Sequence, residues 1–244
     1  MTESNRPTLT VVLAVKDPEP WQFNGCIASV AALRSAPIID LVIVVSGRLP
    51  VLLDQYKVRL HSIQVVNQEP LGVYAAYNRG IDEARSTYTM MMGCDDQLLP
   101  SLDRVIDSIP TGELPHIVAA SVLMQDIGVV GPSRFRWGII FRNWCQQGLL
   151  YRTDIFANRR FDCRYPIQAD HKLNMELVSD PKTVVLRRDD VICHFSSSGC
   201  SQTQHDWLFR EDMPGLVRLS YGPIFWFIAL TKRKLADIIK WRRL

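Results

Sequence analysis

The sequence has no run of apolar residues approaching the ~20 needed to cross a bilayer, no C-x-x-C pair, no internal repeat and no low-complexity linker. The first absence excludes a polytopic membrane protein. The second concerns six cysteines scattered at positions 26, 94, 145, 163, 193 and 200. Such a scatter argues against a zinc site or disulfide frame and for reduced, mostly buried thiols. The third and fourth argue against loosely tethered units in a chain of 244 residues, a length that suits one large α/β domain or two small ones. The opening octet MTESNRPT holds no apolar secretion core, so the expectation is a cytosolic protein. With 47% hydrophobic and 22% charged residues, a mainly disordered chain is excluded as well.

The net positive charge is concentrated at the C-terminus. Six basic residues between Lys232 and Arg243, against Asp237 alone, give that stretch +5 in a chain whose total is +3. The body is therefore weakly acidic, a poor surface for phosphate neutralisation, and no nucleic-acid partner is expected.

What is present is an alternation. Thr8 to Val15 (TLTVVLAV) is β-branched and apolar with no helical period, which predicts a strand buried on both faces. Leu41 to Val45, Ser62 to Val66, Tyr88 to Met92 and Ile117 to Leu123 read as further strands. Between them, Trp21 to Leu33, Tyr74 to Arg85 and Pro100 to Ile109 have helical spacing. Strands alternating with such helices indicate βαβ crossovers and a mainly parallel central sheet, with ligands at the carboxyl ends of its strands. From about Met124 the rhythm changes. A strand is predicted near Gly148 to Tyr151, a helix over Asp170 to Val178, two short strands at Thr183 to Leu186 and Val191 to Phe195, and helix again from about Asp206.

Four places could carry chemistry. Asp95-Asp96 follows a strand directly, and adjacent carboxylates there repel unless a cation or sugar hydroxyl meets them, although a turn or helix cap is also open. Gly72 precedes a helix bearing Asn78 and Arg79, which could hydrogen-bond a nucleotide. Asp170 opens a helix, as an N-cap or as a general base. His194 ends an apolar run, as a structural histidine or as a ligand.

The order GVYAAYNRGIDEA, an apolar strand ending in CDD, QQGLLYRTDIF and then FDCRYPIQAD resembles the family-2 glycosyltransferases with the GT-A fold. More narrowly, it resembles bacterial enzymes that build exopolysaccharide or O-antigen units. The resemblance covers roughly residues 8 to 200. It implies a Rossmann-like nucleotide-diphospho-sugar transferase fold over 1–200, with a donor half at about 8–123 and an acceptor half at about 124–200, followed by a helical extension over 201–244. It also implies that Asp96 holds Mn²⁺ or Mg²⁺ against the donor diphosphate, with His194 as a further candidate ligand, and that Asp95 lies near the ribose. Asp170 falls on the family's catalytic base. Val15, Lys16, Asp17 and Ser46 fall where the nucleotide base is received, with Asn78 and Arg79 close by. The implied reaction is inverting transfer from a nucleotide sugar, a UDP-sugar first, to a saccharide or lipid-linked saccharide.

Three positions depart from the family's pattern: Ser46 where an acidic residue is common, Ala75 where Asp is common, and Gln146 where a His-Gln pair is common. A nucleotide-sugar-binding module without turnover is the alternative they raise. A nucleotide-dependent oxidoreductase is disfavoured, because no G-x-G-x-x-G follows the first strand.

The C-terminus reads PIFWFIALTKRKLADIIKWRRL. At 100° per residue, Ile224, Phe227, Ile228, Thr231, Leu235, Ile238 and Ile239 share one face, with basic residues mostly off it. A basic amphipathic helix with Trp at both ends suits peripheral contact with an anionic inner-membrane face through residues 223–244, or packing on the body.

Overall fold

The computed structural model describes residues 8–49, 53–196 and 205–231. Nine strands form one sheet: β1 (Leu9–Val15), β2 (Ile39–Val45), β3 (Ser62–Asn67), β4 (Tyr88–Gly93), β5 (Gln97–Leu98), β6 (Ile117–Met124), β7 (Gly128–Val130), β8 (Leu149–Arg152) and β9 (Val185–Phe195). The α-helices are α1 (Pro20–Ala31), α2 (Asp54–Lys57), α3 (Val73–Glu83), α4 (Ser101–Asp107), α5 (Ala169–Ser179) and α6 (Trp207–Tyr221). A further helix runs over 223–231, and the basic residues of 232–244 lie outside the described residues, as does Cys200.

Strand order is β3-β2-β1-β4-β8-β6-β9-β5, with β7 paired to β6. The four strands β3, β2, β1 and β4 are parallel. Beyond them the sheet is mixed: β8 runs antiparallel to both β4 and β6, while β9 runs parallel to β6. From β1 the chain moves outward to β2 and later returns on the other side as β4. The carboxyl ends of β1 and β4 therefore flank a topological switch point, where open α/β sheets bind ligands. β8 meets β4 only at Tyr88 and Thr89, so the end of β4 that carries Gly93 runs on past that pairing.

Both faces of the sheet are covered. Val11, Leu13 and Val15 of β1 join the core under α1 and α4, whereas Val12 joins the core under α3 and α5. Each such fully buried Val or Leu contributes roughly 1.5–3 kcal/mol. α3 lies so near β1 that a Cβ at Gly80 would stand 2.2 Å from Val12 Cγ1. Only glycine allows that approach, and it fixes the height of α3 over the sheet.

One sequence expectation is corrected. The two strands expected at 183–186 and 191–195 are a single strand, β9, with register shifts against β6. Its polar middle, Arg187 to Asp190, is accommodated at the sheet's flank, where Asp190 pairs with Arg104 at 3.0 Å and the Arg187 guanidinium lies over the Trp144 ring at 5.4 Å.

Candidate active site

β4 delivers Asp95 and Asp96 to the switch point. Asp96 is 1% exposed, yet its carboxylate is well supplied with donors. The Gly93 N–H donates to Oδ2 at 2.9 Å, Gln147 Nε2 to Oδ2 at 3.0 Å, and the Ser196 N–H to Oδ1 at 3.2 Å. Burial, and then the neighbouring Asp95 charge, push Asp96 up to about 7 despite these donors. Gly93 makes room for the pair, since a Cβ there would meet Asp95 Oδ1 at 2.8 Å and Asp96 Oδ2 at 3.1 Å. Neither aspartate caps α4, whose N-cap is Pro100.

Asp170 is 9% exposed and occupies the second position of α5, whose N-cap is Gln168. The N-cap reading of Asp170 is therefore corrected. Its Oδ1 accepts from the His171 N–H at 2.8 Å and lies 2.8 Å from the Tyr74 hydroxyl, which is also 2.7 Å from the Ile167 carbonyl. Its Oδ2 accepts from Asn143 Nδ2 at 2.8 Å. That amide is oriented from behind: Asn174 Nδ2 donates to Asn143 Oδ1 at 3.1 Å, and the Tyr151 hydroxyl donates to Asn174 Oδ1 at 2.6 Å. The His171 N–H and the Asn143 amide each point a hydrogen at Asp170, and the single Tyr74 hydroxyl hydrogen is shared with the Ile167 carbonyl. These donors favour the ionised form, while burial dominates and lifts it to about 6. A carboxylate poised there is ionised at neutral pH and basic enough to take a proton.

The two carboxylate sites share neighbours. Tyr77 and Cys145 each feel the charges of both Asp96 and Asp170. Cys145 also fixes Gln147, its thiol donating to Gln147 Oε1 at 3.1 Å so that the amide hydrogens face Asp96. Cys26 and Cys193 complete an apolar surround near Asp96, and burial pushes both thiols up. The five described cysteines are free thiols.

Loop residues expected to receive the nucleotide fall into two groups. Val15, Lys16, Asp17 and Ser46 lie together at the ends of β1 and β2. The Ser46 N–H donates to the Val15 carbonyl at 2.8 Å, and Asp17, in left-handed backbone at φ 42°, accepts the Arg48 N–H at 3.1 Å. Asn78 and Arg79 are engaged elsewhere. Asn78 clamps the backbone of Phe161, donating to its carbonyl at 2.9 Å and accepting its N–H at 3.0 Å. Arg79 pairs with Glu83 one turn along α3. His194 follows Cys193 on β9, and alternation sends it to the face opposite the thiol that shares Asp96's surroundings.

Among the described residues no three His, Cys, Asp or Glu side chains form a ready metal cluster. The oxygen-only pair Asp95/Asp96 does fit a hard divalent cation, which uses one or two carboxylates and completes its shell with substrate phosphates and water. Sequence reasoning missed Tyr74, Tyr77, Asn143, Gln147, Tyr151 and Asn174. Only Gln147 left a trace, as the second member of the Gln146-Gln147 pair.

A further clamp fixes the chain before the base. Asp206 Oδ2 accepts the N–H groups of Ile167 (3.1 Å) and Gln168 (3.2 Å), while Oδ1 accepts that of Phe209 (3.0 Å) in the first turn of α6.

Comparison with known proteins agrees with this geometry. The family model described as Glycosyl transferase family 2 matches residues 23–156. Two curated proteins, the PGL/p-HBAD biosynthesis glycosyltransferases of Mycobacterium bovis and Mycobacterium tuberculosis, are each 30% identical over 193 residues, covering 70% of this chain and 72% of theirs. Among solved structures, S. aureus TarS 1–349 in complex with UDP-GlcNAc superposes with a TM-score of 0.68 at 14% identity over 87% of this chain. TarS 1–349 alone gives 0.66 at 14% identity and the same coverage. The chain spans 64–65% of those TarS structures, and at such identity the likeness is one of fold.

Proposed function

The chain belongs to glycosyltransferase family 2, and on that premise we propose that it moves a sugar from a UDP-sugar to a saccharide or lipid-linked saccharide with inversion at the anomeric carbon. The observation that carries this reading is Asp170, a buried carboxylate surrounded by donors and lifted to about 6. One oxygen of Asp170 takes the proton of an acceptor hydroxyl while the hydroxyl oxygen itself bonds to the anomeric carbon. The bond to the diphosphate breaks on the opposite side, and a single in-line displacement inverts the centre. Asp95 and Asp96 would hold Mn²⁺ or Mg²⁺, which when bound neutralises the charge developing on the leaving diphosphate. The UDP and UDP-GlcNAc complexes of TarS support a uridine-linked donor here. The mycobacterial relatives' names, PGL/p-HBAD biosynthesis, support a glycoconjugate acceptor. Peripheral membrane contact through residues 223–244 is part of the same reading, and no described helix is long and apolar enough to cross a membrane.

A thermal-shift screen of UDP-sugars with and without Mn²⁺ tests the donor. A ligand at a hundred times its Kd stabilises the native state by about 2.7 kcal/mol, so one UDP-sugar should raise Tm by several degrees, and only with the metal. No shift with any UDP-sugar would refute the donor assignment. Binding without UDP release in Mn²⁺ would instead favour the module without turnover raised by Ser46, Ala75 and Gln146.

The pH dependence follows from Asp170. Because the ionised carboxylate is the base, kcat should fall tenfold per unit below about pH 6 and level off above it, measured at saturating donor and saturating Mn²⁺ so that protonation of Asp96 does not limit the rate. A rate independent of pH between 5 and 6 would assign the proton transfer to another group.

A further inference from the structure

The loop over 133–141 turns three large rings outward: Phe135 is 56% exposed, Trp137 44% and Phe141 38%. Loose loops bury such rings when they can, but this one is held. Arg136 donates to the carbonyls of Val178 (3.0 Å), Asp180 (2.8 Å) and Thr183 (2.6 Å), and the Tyr221 hydroxyl donates to the Arg136 carbonyl at 3.1 Å. The rings stack outside this anchor. Trp137 lies 5.3 Å from Phe135 and 6.0 Å from Phe141, and at 6.5 Å it stacks on Phe225 of the helix over 223–231. Beside Phe225, Ile224 is 75% exposed. The described part of the expected apolar stripe, Ile224, Phe227 and Ile228, thus faces solvent, while Phe225 and Trp226 turn toward the protein. Through the Trp137–Phe225 contact, loop and helix join into one exposed apolar surface, and contiguous surfaces of this kind mark interaction sites.

Its charge is one-sided. From Ile127 to Thr153 the sequence has four arginines and no acid, and Arg134 and Arg142, beside the rings, are exposed. The chain then continues past residue 231 into Lys232, Arg233 and Lys234. Rigid aromatic rings rimmed by cations suit a bilayer interface, where rings sit at headgroup level and basic side chains meet anionic lipid.

We infer that the loop over 133–141 is a second membrane-docking element, which acts with the helix over 223–231 to seat the protein on an anionic bilayer. The occupant is the bilayer surface, not a second copy of the chain. The inference rests on the membrane contact proposed above for residues 223–244, and not on the transferase chemistry. On the transferase reading, Asn143, two residues beyond this loop, donates to Asp170 and so links the docking element to the base through the chain.

The test is co-sedimentation of the full chain with vesicles of phosphatidylcholine alone or mixed with phosphatidylglycerol. The unaltered protein should partition onto the mixed vesicles and be released by high salt. The double variant Phe135→Ser/Trp137→Ser should lower the partition coefficient about tenfold or more. Arg134→Glu, which leaves the rings in place, should weaken binding to the mixed vesicles only. An unchanged Tm and unchanged UDP-sugar binding in each variant show that the fold and donor site are intact. Failure of the unaltered chain to bind mixed vesicles overturns the inference, as does equal partition of the ring variant. A dimer in solution that the ring variant converts to monomer also overturns it, by assigning the rings to a second copy.

Discussion

Replacing Asp170 by Asn should slow sugar transfer by about 10²–10⁴-fold while leaving UDP-sugar affinity nearly unchanged. The substitution keeps size and removes the proton acceptor. It also opposes the hydrogen-bond direction around the site. The backbone N–H of His171 cannot reverse, so the new amide must keep its oxygen at the Oδ1 position and turn its NH2 toward Asn143 Nδ2. Asn143 could flip only by losing the bond it accepts from Asn174, which is itself oriented by Tyr151. One buried donor is therefore left facing another, at a cost of about 1–3 kcal/mol. A residue serving only as a helix cap would show neither effect, since Asn caps about as well as Asp. Near-wild-type transfer to a confirmed acceptor would mean the base lies elsewhere.

The second large effect separates two adjacent carboxylates. Asp95→Ala should abolish Mn²⁺-dependent UDP binding with a smaller fall in melting temperature than Asp96→Ala. Asp96→Ala should abolish binding too, but should also lower Tm by about 5 °C or more. Removing the Asp96 carboxylate strands three donors at once, the N–H groups of Gly93 and Ser196 and the amide of Gln147, in a buried place. Calorimetric titration with UDP and Mn²⁺, beside a melting curve for each variant, reads both quantities. Full UDP affinity in Asp95→Ala would place metal and diphosphate away from this turn.

The sequence made β1, β2 and β4 legible because strands buried on both faces must be continuously apolar. α3 was legible from its period and from Gly72. β5 and β7, at two and three residues, carry no period, and pairing with β9 and β6 creates them. The carboxylates of the site were legible as residues, but their surroundings were not. Asn143 and Asn174 are 31 positions apart and meet only through the packing of α5. Asn78 shows a structural tie that its position in the sequence did not reveal. On a helix after a glycine it suits a nucleotide, yet its amide matches the two hydrogen-bonding groups of one peptide residue and is taken by Phe161.

The carboxylate of Asp206 belongs at once to the start of α6 and to the backbone just before Asp170. The C-terminal helices are therefore two mechanical parts, and a shortened protein reports different things depending on where it stops. Ending the chain after Gly222 removes a surface and keeps the brace, so it probes attachment. Ending it before Asp206 frees the Ile167 and Gln168 N–H groups and slackens the turn that aims the base, so lost turnover there would reflect misalignment of Asp170 whether or not a bilayer is present.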